Sequence, residues 1–127
     1  MKLLLDTHTS LWFIDDNPKL SAAAKKLLES DLDLMISAAS LWEIAIKVSI
    51  GKLTLTQPFQ DFIPDQLTRN SVKLLAVSIA HLAVVSGLPF HHRDPFDRLM
   101  VAQAISEQLP IVSVDDKFDL YGANRLW

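Results

Sequence analysis

The chain has 127 residues, 50% of them hydrophobic and 21% charged, with a formal net charge of −3 and no cysteine. These values predict a single folded domain over residues 1–127 and exclude intrinsic disorder, disulfides, thiolate metal sites and cysteine nucleophiles. The missing cysteine, the absence of a basic start followed by an unbroken apolar run, and the breaks at Ser78, His81 and Ser86 in the apolar stretch 74–90 predict a cytoplasmic protein with neither a secretion signal nor the ~20 apolar residues of a membrane span.

Residues 2–5 form an apolar run that Asp6 ends, the pattern of a short buried strand. Residues 10–14 read as a short helix, Asn17-Pro18 as a break, and Ser21 as the cap of a second helix reaching Glu29. A second strand follows at 34–36. Ser37 caps a helix over 38–50, which Gly51 stops at a C′ position. Residues 58–69 carry a helical pattern in which Pro64 predicts a kink or two pieces. A third strand is predicted over 72–77, a Ser78-capped helix to Ser86, and a helix opened by Asp94-Pro95 and running to about Gln108. The fourth strand, 111–114, ends in Asp115, and 124–126 gives a short edge strand. No repeat, low-complexity segment or linker interrupts this order. Strands alternating with helices predict a three-layer α/β fold, with a central parallel sheet of about four to five strands between helices and right-handed crossovers.

That topology carries the functional reading. In parallel sheets, ligands bind outside the carboxyl ends of the strands, so Asp6 and Asp115 are aimed at one place. Glu43 lies in an almost wholly apolar helix, and Asp97 in the first turn of another. Two unit charges ~5 Å apart repel by roughly 3 kcal/mol at an effective dielectric of about 20, a cost that a hard divalent cation removes. Oxygen-only ligands select Mg²⁺ or Mn²⁺. Each acid also has a local explanation: Asp6 a turn residue, Glu43 a salt bridge to Lys47, Asp97 a helix-start signal and Asp94 the N-cap beside it. Four coincidences at one sheet edge are less economical than one site. Thr7 and Ser113 offer supporting hydroxyls. Of the pair Asp115-Asp116, Asp115 follows the strand directly and is the better ligand, while Asp116 caps the turn through Lys117 and Phe118 or faces solvent.

Without the four acids the remaining charge is slightly positive, which makes Lys47, Lys52, His91, His92, Arg93 and Arg98 candidates for phosphate contact. A zinc site on His91-His92 is disfavoured because adjacent side chains diverge and no third soft ligand is evident. Trp12 and Trp42, with Leu11, Phe13 and Ile14, read as core or, where exposed, as a partner surface.

The segments Leu3-Leu4-Leu5-Asp6-Thr7-His8, Ser37-Ala38-Ala39-Ser40-Leu41-Trp42-Glu43-Ile44, His91-His92-Arg93-Asp94-Pro95-Phe96-Asp97-Arg98-Leu99 and Val112-Ser113-Val114-Asp115 resemble the PIN-domain family, and within it the VapC-type toxins of bacterial toxin–antitoxin modules. The resemblance spans essentially the whole chain and places the family's metal-binding acids on Asp6, Glu43, Asp97 and Asp115. Ser113 stands where the family often has threonine, and the doubled Asp115-Asp116 is a departure. The resemblance implies a Mg²⁺- or Mn²⁺-dependent endoribonuclease, an RNA substrate, a cognate antitoxin and a homodimer. Two other classes were weighed: a catalytically silent module of PIN shape, and a receiver-like phosphoacceptor domain. The second lacks paired acids after its first strand and the expected lysine.

Overall fold

The computed structural model describes residues 1–127. β1 (Lys2–Leu5) is the middle strand of a five-stranded, wholly parallel sheet ordered β3-β2-β1-β4-β5, where β2 is Asp33–Ser37, β3 Val72–Leu75, β4 Ile111–Val112 and β5 Arg125–Leu126. Its leucines form an unbroken apolar run because both faces of the sheet are covered. Leu3 and Leu5 enter one core with Leu20, Ala24 and Leu28, and Leu4 enters the opposite one with Ala39, Met100, Val101 and Phe118. All three leucines are almost completely withdrawn from water, which stabilises the fold by roughly 1.5–3 kcal/mol apiece.

Helices α1 (Thr7–Ile14) and α2 (Ala22–Leu28) supply residues to the first core; α3 (Ala38–Ser49) and α6 (Pro95–Glu107) supply the second. A third cluster joins Ile44 of α3 to Phe62 and Ile63 of α4 (Phe59–Arg69), and α5 (Ile79–Gly87) lies along α6. The chain builds β2 and β3 on one side of β1 and then crosses to β4 and β5 on the other. Strand order therefore reverses between β1 and β4, and the crevice beyond their carboxyl ends is where such sheets bind ligands. No helix is long and apolar enough to cross a membrane.

The structure corrects three of the predicted boundaries and the expected break at Pro64. The first helix begins at Thr7, three residues earlier than predicted, because Asp6 itself caps it. Pro64 does not split α4 into two pieces: Gln60, whose carbonyl loses its helical partner, and Pro64 are both exposed, where water can serve instead. β3 stops at Leu75, and β4 at Val112. Beyond β4 the Ser113 amide still reaches the Leu126 carbonyl, but Val114 is 48% exposed and outside the sheet. Asp115 thus stands three residues past Val112, which forms the ladder's last rung with Leu126, at the start of a 3₁₀ helix (Asp116–Tyr121).

Candidate metal centre

Asp6 leaves the sheet with extended backbone and turns directly into α1. One carboxylate oxygen accepts the Thr9 amide at 2.8 Å and the other the Ser113 hydroxyl at 2.5 Å. The Thr9 hydroxyl donates to the Val112 carbonyl, so the end of β1 is tied to the end of β4 on both sides of Asp6. The side chain is almost fully buried. The turn role anticipated for Asp6 is real, and it leaves the carboxylate fixed at the switch point of the sheet.

Glu43 projects from α3 with its side chain 13% exposed. Its Oε1 accepts the Thr7 hydroxyl at 2.7 Å and its Oε2 lies 3.2 Å from the Lys47 ammonium, so the salt bridge considered as its local explanation is present. Across from it, Asp94 caps α6 by accepting the amides of Phe96 (2.8 Å) and Asp97 (3.2 Å). This places Asp97 in the first helical turn, where the macrodipole favours an anion. Its surroundings do not: burial first, then the charge of Asp94, raise the Asp97 pKa to about 7, with Glu43 and Asp6 adding to the shift and only His92 opposing it. Asp6, Glu43 and Asp97 therefore share one electrostatic space.

Asp115 is joined to Asp97 through His92, and those three residues form a group that does not include Asp6 or Glu43. Asp115 Oδ1 accepts the Lys117 amide at 3.0 Å, and its Oδ2 accepts from His92 Nε2 at 2.8 Å. Burial alone would raise its pKa; the hydrogen bonds from Lys117 and His92 hold it below the usual carboxylate range instead. The same His92 nitrogen lies 3.2 Å from Asp97 Oδ2, and ligand atoms of His92, Asp97 and Asp115 all fall within 4.8 Å of one another. Capping through Lys117, assigned from sequence to Asp116, belongs to Asp115, because the strand ends early and the 3₁₀ turn starts one residue sooner. Asp116 is exposed.

The phosphate candidates divide. Arg98 is buried, its guanidinium on the carbonyls of Pro89 (3.0 Å) and Leu88 (3.3 Å) and 4.0 Å above the Phe90 ring, so it braces a loop and has no reach to solvent. His92 is buried among the acids, and Lys47 is engaged by Glu43. His91, Arg93 and Lys52 remain exposed, with His91 packed edge-on against Tyr121. The two histidines do diverge, but His92 turns toward the carboxylates, a membership that sequence reasoning missed. Trp12 is half-buried against Trp127, whereas Trp42 is 62% exposed and meets Phe96 edge-on at 5.1 Å.

Carboxylate oxygens dominate this donor set, as hard divalent ions prefer. Burial and the neighbouring charges raise the Asp97 pKa, and a bound cation offsets both, so the residues present fit one. The PIN domain model matches residues 3–124. Two Mycobacterium tuberculosis proteins are similar in sequence. Ribonuclease VapC22 is 28% identical over 114 residues, 89% of this chain and 86% of its own length. Ribonuclease VapC16 is 36% identical over 72 residues, 53% of this chain, and the match spans about half of that relative, 51%. Among solved structures, VapBC2 from Rickettsia felis bound to a DNA fragment from its promoter superposes with a TM-score of 0.71 at 19% identity, covering 99% of this chain and 98% of that one. Matched from its first strand to the approach of its last, and folded as these proteins are, the chain belongs to the PIN domain family.

Proposed function

We propose that this chain is a metal-dependent endoribonuclease, the toxin of a toxin–antitoxin pair, hydrolysing RNA phosphodiester bonds in the cytoplasm until a cognate antitoxin silences it. The observation that carries the reading is the gathering of carboxylates around buried Asp97, whose pKa is raised to about 7 by burial first, then by the charge of Asp94, with Glu43 and Asp6 adding to it, at a sheet edge where such folds receive a ligand. Its similarity to proteins named Ribonuclease VapC, and to the toxin–antitoxin complexes of the VapBC type, supports the substrate and the partner.

In this reading Asp6, Glu43, Asp97 and Asp115 hold Mg²⁺, for which Mn²⁺ substitutes. When bound, the ion supplies a Lewis acid that activates water and offsets charge growing on the phosphoryl oxygens. The protein's part is to hold the oxygens still. The Thr9 amide and Ser113 hydroxyl fix Asp6, the Thr7 hydroxyl and Lys47 fix Glu43, and the Lys117 amide fixes Asp115. Asp97 surrenders its proton as the site loads, which couples occupancy to pH near neutrality. Exposed His91 and Arg93, on the loop before α6, contact the RNA backbone. The antitoxin lays an apolar segment into the open groove of about 460 Å³ beside Trp12, lined by Leu11, Ile14, Leu55 and Phe62, and reaches a basic side chain toward the acids. The active form is a homodimer.

Total RNA and defined oligonucleotides incubated with Mg²⁺, Mn²⁺ or chelator, followed by sequencing of the new ends, test the reading. Cleavage requires the ion and disappears in Asp6→Asn. Equal cleavage by wild type and Asp6→Asn removes the site assignment, and no cleavage under any divalent ion favours the silent binding module. Co-expression with the product of the adjacent small open reading frame suppresses toxicity, and light scattering reads the dimer.

A further inference from the structure

His92 is more elaborately held than any other residue of its loop. Its amide donates to the Tyr121 hydroxyl at 2.8 Å, and its ring stacks on fully buried Phe118 at 6.0 Å and 25°. Its Nδ1 accepts the Asp94 amide at 3.2 Å, while Nε2 lies 2.8 Å from Asp115 Oδ2 and 3.2 Å from Asp97 Oδ2. Tyr121 in turn donates to the Pro89 carbonyl, and Arg98 braces the same carbonyl from below.

The pattern fixes the tautomer. A nitrogen that accepts a backbone N–H carries no hydrogen, so in the neutral ring the hydrogen is on Nε2, pointed at the two carboxylates. An Nε2–H is a donor with no lone pair to offer an ion, which makes His92 a spacer between ligands and not itself a ligand. Asp97 and Asp115 come from different elements, one the first turn of α6 and the other the start of the 3₁₀ helix. His92 bonds to Asp115 and stands 3.2 Å from Asp97 Oδ2, and no other side chain contacts both.

We propose that His92 is a positioning residue: its Nε2–H holds Asp115 by a hydrogen bond while the same ring edge stands against Asp97, so that a divalent ion meets two carboxylates already gathered. The inference rests on the metal-site reading given above. Outer partners of this kind typically change metal affinity by 10–100-fold.

The test is Mn²⁺ and Mg²⁺ binding by calorimetry on the full chain, with folding checked by circular dichroism, for wild type and three variants. His92→Ala removes the donor. His92→Gln keeps an N–H at the position of Nε2, and His92→Asn keeps an acceptor for the Asp94 amide but has no donor at the carboxylates. The alanine and asparagine variants bind both ions about 10–100-fold more weakly, the glutamine variant recovers most of the affinity, and RNA cleavage lost at limiting Mn²⁺ returns as Mn²⁺ is raised. Wild-type affinity in His92→Ala overturns the role while leaving the metal site standing. Recovery by asparagine but not glutamine overturns it in favour of a loop-turn role. A folded wild type that binds neither ion overturns both this inference and the site reading beneath it.

Discussion

Asp97→Asn in the absence of metal is the sharpest probe of the crowded carboxylates. Asp97 titrates at about 7 in place of 3.8. The folded protein therefore keeps this proton at pH values where the unfolded chain has lost it, and stability falls as pH rises through that interval. The cost is absent below about pH 4 and complete above about pH 7. Some three units at 1.36 kcal/mol each set a ceiling of about 4 kcal/mol, and with the side chain 22% exposed to screening water, about 2–4 kcal/mol is expected. Asparagine keeps the shape and never ionises. In chelator at pH 8 the variant should melt higher than wild type, by roughly 8–15 °C relative to the difference seen at pH 4, at about 4 °C per kcal/mol for a chain of this size. Thermal melts at half-unit intervals from pH 4 to pH 8 supply the measurement. Adding Mn²⁺ at pH 8 closes most or all of that gap, because the wild type gains about 2.7 kcal/mol at 100 times Kd and the variant little. A melting difference that is constant with pH, or that grows toward acid, refutes the argument.

The other expectations are simpler to read. Asp115→Asn lowers metal-dependent cleavage by at least about tenfold, or roughly 1.4 kcal/mol in the barrier, while Asp116→Asn changes it little; steady-state rates at saturating Mg²⁺ decide, and the reverse order sinks the assignment. Mn²⁺ binding at pH 7 releases about half a proton from Asp97, measured as the dependence of the calorimetric heat on buffer ionisation enthalpy, and Asp97→Asn abolishes that part. Arg98→Ala costs about 2–4 kcal/mol of stability by denaturant titration, because the Pro89 and Leu88 carbonyls lose their donor, and Arg98→Lys does not restore it since one ammonium cannot span both.

What the sequence disclosed follows from how far each signal reaches. The runs ending at Asp6 and near Asp115 were legible because a parallel strand is buried on both faces, and Asp94-Pro95 was legible because capping is local. The end of β4 was not. Val114 continues the apolar run yet is 48% exposed, and no periodicity separates it from Val112 in a strand of two residues. Arg98 and His92 were misread for the opposite reason. A cation and an imidazole near acids suggest surface phosphate contacts, and what buries them lies in tertiary partners: carbonyls of residues 88 and 89 for Arg98, and for His92 the carboxylate of Asp115, 23 residues away. The only local hint for His92 was its place two residues before a capping aspartate.

The local explanations and the shared site turn out not to compete, and the reason is topological. In a parallel sheet each strand's carboxyl end feeds a following helix, so helix N-termini gather where the ligand crevice lies. Asp6 caps α1, Asp94 caps α6 and Asp115 caps the 3₁₀ helix, each by accepting backbone amides. The acids that such starts favour are thereby delivered to one edge. Capping alone does not offset their mutual repulsion: a helix terminus stabilises a nearby anion by about 0.3–1 kcal/mol, against roughly 3 kcal/mol for a pair of charges ~5 Å apart. Asp97 sits in a first helical turn and still holds its proton to about pH 7, because burial first and the neighbouring carboxylates second outweigh the helix terminus. A protein that needed only caps would place serine or asparagine there, as Ser21, Ser37 and Ser78 do for α2, α3 and α5. Carboxylates stand at the three starts around the switch point, serines at α2, α3 and α5 and Pro58 at α4, a division that the proposed metal site accounts for and helix initiation alone does not.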